Sequence, residues 1–388
     1  MFFLYIPVMG SSSDLPWSLV HMNESVTIYD SYVFDPLNPE KETFESLDHY
    51  LSTNHFDCVI SYLFVPEISD LCEKYHMKYV CWIYDSPLVT LFHRAVRNPC
   101  NYLFIFDRCE YEYFSEQDLP HLYYLPMATN TERTGSIDIT AQDEQNYACD
   151  ISFIGSLYEN NPYNMIIGAL PEDIKNEFKL YLLQNICNWS NPKPWPRVSK
   201  KVCDYIQQHF DTDNRACMDM DTDLFYGIAL LSRKLAEIDR ITVLNTLAES
   251  FSVHLFTSSD SSFLQNIHFH PSVNYHTDMN KIFYLSKVNL NITLPSIETG
   301  IPQRILDIMG CGGFVLTNYQ KELEDHFAIG TDLEVFHDLT ELKDKAFYYL
   351  QHENERVRIA INGYQNVRDH FSYEHQLSQI LNTIKEDT

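Results

Sequence analysis

The chain has 388 residues, which at roughly 100–200 residues per domain indicates two or three domains. Hydrophobic residues make up 45% and aromatics 14%, enough for packed cores and far from a disordered chain. Asp and Glu number 54 against 27 Lys and Arg, a net charge of −27 that argues against a nucleic-acid partner and an anionic membrane surface, yet leaves room for a local diphosphate site.

No apolar run reaches ~18 residues, so no stable membrane insertion is predicted. The opening MFFLYIPVMG lacks a basic leader and reads as a first strand. Ten Cys form no CxxC pair, which fits a reducing cytoplasm and excludes a zinc ribbon.

In chain order, short apolar runs at Phe2–Val8, Val26–Asp30, Phe56–Tyr62, Tyr79–Asp85, Tyr102–Asp107 and Leu122–Met127 alternate with helical stretches at Phe44–Thr53, Pro66–Tyr75 and Glu110–Glu116. Runs apolar on both faces suit parallel strands, so residues 1–130 are predicted to be a Rossmann-like α/β domain. Residues 131–149 are polar and weakly periodic and read as a linker. A second alternation over 150–370 starts at Asp150–Ile154, is interrupted by a helical insertion near 161–249, and resumes at Val253–Thr257, Val288–Ile292, Phe314–Thr317 and Leu333–Phe336. Val357, Ala360, Ile361, Tyr364 and Val367 mark one face of a late helix. Two such domains in series are expected to leave a cleft, with ligands at the carboxyl ends of strands.

The densest signal is LPSIETGIPQRILDIMGCGGFVLT over Leu294–Thr317. A helix is predicted from about Gly300 or Pro302, with Thr299 as its cap. Its N-terminus, near Thr299, Gly300 and Ile301, would offer unpaired N–H groups to a phosphate. Arg304 is placed to fork onto phosphate oxygens, and Asp307, one turn on, to accept ribose hydroxyls; a surface Arg304–Asp307 pair is the plain alternative.

That segment resembles the donor-binding element of GT-B glycosyltransferases, most closely the bacterial spore-maturation-type (CgeB-like) branch. Gly300, Pro302, Arg304, Asp307, Met309, Gly312 and Gly313 follow its pattern, and Asn318-Tyr319 supply its turn. Where larger retaining families carry a first Glu, this chain has Thr299, with Glu298 the nearby acid. Asp150–Ser156 resembles the first strand and glycine turn of the donor domain, with Gly155 and Ser156 near the diphosphate. Phe283–Asn291 resembles the lead-in to the donor element, with Lys287 a candidate contact. Trp82–Pro87, Phe104–Arg108 and Tyr124–Pro126 resemble an N-terminal acceptor-side domain. The resemblance implies two Rossmann-like domains facing across a cleft, with the last helix, 371–388, crossing back to the first. It implies a cytoplasmic enzyme moving a hexose-type sugar from a nucleoside-diphosphate sugar to a saccharide or protein hydroxyl. The expected reaction needs neither cofactor nor metal and retains anomeric configuration. A nucleotide-sugar epimerase and a non-catalytic binding protein of the same fold are the alternatives.

Other strand ends add candidates. Asp85 and Asp107 each close an apolar run, placed either to orient the acceptor hydroxyl and take its proton or to cap a helix. Gly10–Asp14 follows the first strand and either lines the cleft or caps the next helix. Thr257 is a phosphate or sugar candidate and Tyr275 borders the base. Arg240 is either a phosphate contact or half of a surface pair with Glu237 or Asp239. DxD spacing at Asp211–Asp213 and Asp219–Asp221 lies in a helical stretch and reads as a solvated acidic patch. His268, His270 and His276 read as structural.

Overall fold

The computed structural model describes residues 1–31, 33–35, 40–210, 219–260 and 262–386. Asp211-Thr-Asp213 lies outside the described residues. The chain divides into two compact units: Met1–Met127 with Tyr205–Phe225 and Tyr373–Thr388, and Ala128–Asp204 with Tyr226–Ser372.

The first unit holds a six-stranded parallel sheet: β1 (Phe2–Tyr5), β2 (Ser25–Ile28), β3 (Cys58–Tyr62), β4 (Lys78–Ile83), β5 (Asn101–Ile105) and β6 (Leu122–Tyr124), in the order β2-β1-β3-β4-β5-β6. The central strands β3 and β5 are buried at every position, which is why their sequences run apolar without alternation. The helix Tyr373–Glu386 belongs to this unit. It packs on the Asp14–His21 helix, and the Tyr373 hydroxyl lies 2.5 Å from that of Tyr62.

The second unit repeats the plan with β7 (Cys149–Ile154), β8 (Val253–Phe256), β9 (Ile267–His270), β10 (Ser286–Asn291), β11 (Val315–Asn318) and β12 (Glu334–Phe336), ordered β12-β11-β10-β7-β8-β9 and parallel throughout. Its core packs Ile151, Phe153, Val253, Leu255, Val288 and Leu290 against helix residues such as Val243, Leu244 and Leu247. Strand order reverses between β7 and β10, so the crevice-forming point lies at their carboxyl ends.

Three local expectations change. Residues 131–149 are no linker: they form helices Thr131–Gly135 and Ala141–Tyr147 and count with the second unit. Thr140 and Asp143 close a capping box, so a polar stretch with few apolar positions still starts a helix. Strand β9 escapes the pattern because it is an edge strand, IHFH, with exposed and half-buried side chains. In the helix Glu353–His370 the buried face is Arg356, Ile359, Ala360, Gly363 and Val367, while Val357 and Ile361 turn to solvent.

Among the described residues no helix is long and apolar enough to cross a membrane, and no group of three His, Cys, Asp or Glu is set to hold a metal ion.

Candidate functional site

The carboxyl ends of β7 and β10 gather the candidate site of the second unit. Beyond β7 the Gly155 N–H bonds the Phe256 carbonyl at 3.1 Å. A methyl at Gly155 would meet nothing closer than 3.5 Å, so the fold itself leaves room in front of this backbone. The loop after β8 ties to the loop after β7: the Thr257 hydroxyl accepts the Ser259 N–H at 3.0 Å, and the Ser259 hydroxyl accepts the Leu157 N–H at 2.8 Å. Thr257 thus shapes the turn, and Ser156 is exposed beside it.

Arg240 reaches this point from the helix Arg233–Ala248. It is no surface residue, being only 9% exposed. Nη1 donates to the Ser156 carbonyl at 2.5 Å and Nη2 to the Ile292 carbonyl at 2.9 Å, so one side chain braces the loops after β7 and β10. The guanidinium stacks on Phe153 and Tyr158, and its buried Nε has no hydrogen-bond partner. Burial lowers its pKa, and the like charge of Arg304 adds to that. The alternative of a surface pair with Glu237 or Asp239 does not form: Glu237 binds Lys234 and Asn161, and Asp239 accepts the Cys187 N–H at 2.8 Å.

The helix after β10 is Gln303–Gly310, with Pro302 at its N-cap and no side-chain cap. Thr299 is therefore not the cap. It is buried, and its hydroxyl donates to Glu322 at 2.6 Å, which anchors the loop to the chain beyond β11. Gly300 and Ile301 are buried in the same loop. The N–H groups of the first helical turn have no intrahelical carbonyl partner four residues back. Arg304 is half-buried, donates to the Met279 sulfur and lies over the Phe283 ring, close enough to Arg240 for their charges to interact. Both arginines donate to uncharged acceptors, so the cationic charge at this strand end is not neutralised by those contacts.

Asp307 is buried, and its Oδ1 accepts from Thr129 at 3.0 Å, Gln303 at 3.0 Å and Tyr275 at 3.1 Å. Burial raises its pKa while the Arg304 charge opposes that rise. Tyr275 is thereby fixed beside the helix, with Arg133 over its ring. The expected surface pairing of Arg304 with Asp307 is replaced by these contacts. Lys287 sits at the amino end of β10, away from the other candidates, and pairs with Asp150 at 2.8 Å. The register places it opposite the start of β7, so it has no part in this site.

Glu298 lines a cavity with Trp189, Lys193, Thr293, Tyr319 and Gln320. Its Oε1 accepts the Trp195 N–H at 2.5 Å, and the Trp195 indole donates to the Ser296 carbonyl at 3.0 Å. A strap from the helical insertion therefore lies on the loop after β10, and Asp239 fastens its base at Cys187. Burial pushes the Asp239 pKa up to about 6, and its Oδ2 has no partner. A carboxyl raised in the folded state favours folding fully below its unfolded pKa and loses that contribution as pH rises through about 6. Asp239→Asn should therefore gain about 2–3 kcal/mol over the wild type at pH 7.5 and nothing at pH 3.5, read from denaturant midpoints at each pH. Equal differences at both pH values would contradict the assignment.

In the first unit, Asp85 is exposed at the carboxyl end of β4. Asp107 is fully buried: Oδ1 accepts the Cys109 N–H at 3.2 Å as a helix cap, and Oδ2 accepts the Ser86 hydroxyl at 2.8 Å. A carboxylate so enclosed is a structural cap and not a base for substrate, which corrects its placement among catalytic candidates.

Residues 238–382 match a family model described as glycosyl transferase-like. No curated protein matches the chain. Among solved structures, HepE from Anabaena in complex with UDP and glucose aligns with TM-score 0.57 at 10% identity, covering 100% of each chain. The sucrose-phosphate synthase of Thermosynechococcus elongatus gives 0.57 at 10%, covering 100% of this chain and 99% of that one. The T4 phage BGT in complex with its UDP-glucose substrate gives 0.53 at 9%, covering 99% of each. The fold is that of the GT-B glycosyltransferases. Two parallel six-stranded sheets with flanking helices, one in each unit, are its hallmark here.

Proposed function

We propose that the chain is a metal-independent glycosyltransferase that moves a hexose-type sugar from a nucleoside diphosphate to an acceptor hydroxyl. The observation that carries the reading is the convergence of Arg240, Arg304 and the start of the Gln303–Gly310 helix at the crevice point of the second sheet. Such a helix end carries roughly half a positive charge and, with two guanidiniums, suits a diphosphate. As the bond between the anomeric carbon and the diphosphate oxygen breaks, charge grows on that oxygen, and these groups stabilise it without a metal. The matched segment 238–382 and the UDP and UDP-glucose held by relatives of the same fold support a uridine donor as the first probe.

Asp107 is closed to substrate, so the departing diphosphate is the group that takes the acceptor proton in this reading. That pattern belongs to retention of configuration. Asp85 remains as the exposed carboxylate that orients the acceptor. The acceptor is a saccharide or a protein.

A thermal-shift panel of UDP, GDP, dTDP and CMP sugars identifies the donor, and product analysis with and without acceptor separates transfer from epimerisation. Arg304→Ala should keep the ligand-free Tm, since the side chain is half-buried and packs on a single face, yet lower kcat/KM by about 100-fold or more. Unchanged kcat/KM would remove Arg304 from the site.

A further inference from the structure

The first unit contains a second acid that the reaction described above does not use. Glu110, in the first turn of the helix Arg108–Ser115, is fully buried. Its Oε1 accepts the Leu88 N–H at 2.7 Å, and its Oε2 is buried without a hydrogen-bond partner. Beside it Asp107, equally buried, accepts from the Ser86 hydroxyl and the Cys109 N–H. The two carboxyls thus hold opposite ends of one short turn, Ser86 and Leu88, which follows the exposed Asp85 at the end of β4.

Two negative charges side by side in a buried turn disfavour one another, so the carboxyl with the poorer set of donors keeps a proton. Asp107 has the Ser86 hydroxyl and the Cys109 amide as donors, whereas Glu110 has the Leu88 amide, shares the Ser86 hydroxyl that already donates to Asp107, and keeps its Oε2 without a partner. The proton therefore belongs on Glu110 Oε2. We propose that Glu110 is a positioning residue carried as the un-ionised acid, which grips the Leu88 amide and so fixes the Asp85–Leu88 turn that presents the Asp85 carboxylate. Burial, followed by the charge of Asp107, holds its pKa well above the ordinary carboxylate range despite the Leu88 amide. Asp107 from the end of β5 and Asp85 from the end of β4 both disfavour a charge on it, and the Ser86 side chain, which hydrogen-bonds it from the turn, opposes them. Ionisation at alkaline pH would put a further negative charge among them and loosen the turn.

The role of Asp85 rests on the proposed transferase reading; the state of Glu110 does not. The test uses the full chain, with hydrogen exchange at the Leu88 amide and Tm measured from pH 6 to 10 for the wild type, Glu110→Gln and Glu110→Ala. The glutamine keeps the acceptor oxygen and cannot ionise. The wild type should lose Leu88 protection and several degrees of Tm at alkaline pH, after correction for intrinsic exchange. Glu110→Gln should hold both, and Glu110→Ala should lack Leu88 protection at every pH. The same alkaline losses in wild type and Glu110→Gln would overturn the proposal. Transfer from UDP-glucose supplies the second readout: above the pKa of Glu110 the wild-type rate should fall roughly tenfold per pH unit, and Glu110→Gln should move that limb upward. An unmoved limb with a flattened Tm profile would overturn the positioning of Asp85 alone. Absence of transfer with every donor would count against the transferase reading, and Leu88 exchange would still decide the state of Glu110.

Discussion

Arg240→Met should remove donor binding and destabilise the second unit at once. The methionine keeps the apolar stem but leaves the Ser156 and Ile292 carbonyls without their donor. The Ile292 carbonyl is buried, and leaving it unpaired costs about 1–3 kcal/mol, so unfolding free energy should drop by about that much. The UDP-induced rise in Tm should vanish in the folded fraction. Arg240→Lys separates the two effects. A lysine restores positive charge but not the two-carbonyl fork, so it should regain part of the UDP shift while stability stays low. A variant that loses stability and keeps the full UDP shift would show Arg240 to be a brace only.

Gly227→Ala should be among the most damaging single-methyl changes in the protein. Gly227 opens a π-helical turn, Gly227–Ser232, and an added Cβ would lie 1.9 Å from the Pro196 carbonyl oxygen. That contact is with backbone on both sides, so no side chain can swing aside. Overpacking costs about 1–3 kcal/mol, and a contact with backbone puts this case at the upper end. The displaced Pro196 adjoins Trp195, whose N–H holds Glu298. Donor affinity should therefore fall along with the Tm. A change below about 0.5 kcal/mol in denaturant unfolding would show the strap to be free to shift.

The sheet architecture was legible because its strands are buried on both faces. Runs such as CVISY and NYLFI suit interior strands of a parallel sheet, and their spacing allows a crossover helix between them. β9 was not legible, because an edge strand of alternating histidines carries no buried run. The segment after β10 stood out by its residues; in the structure Tyr275 and Gln303 donate to Asp307, while Arg304 donates to the Met279 sulfur. Of the two readings of Arg240, the surface pair could have been set aside from sequence. Arg240 shares the buried face of its helix with Ala236, Val243, Leu244 and Leu247, and a lone arginine in that stripe must find acceptors inside the protein. The capping role of Asp107 and the engagement of Thr299 by Glu322 depend on partners distant in sequence, which spacing alone does not reveal.

A crystal structure of the chain with UDP bound tests the central claim most directly. The expected result is a diphosphate at the carboxyl ends of β7 and β10, its oxygens within hydrogen-bonding distance of Arg240 or Arg304 and the first-turn amides of the Gln303–Gly310 helix. A nucleotide seated elsewhere, with both guanidiniums still on their present acceptors, would contradict it.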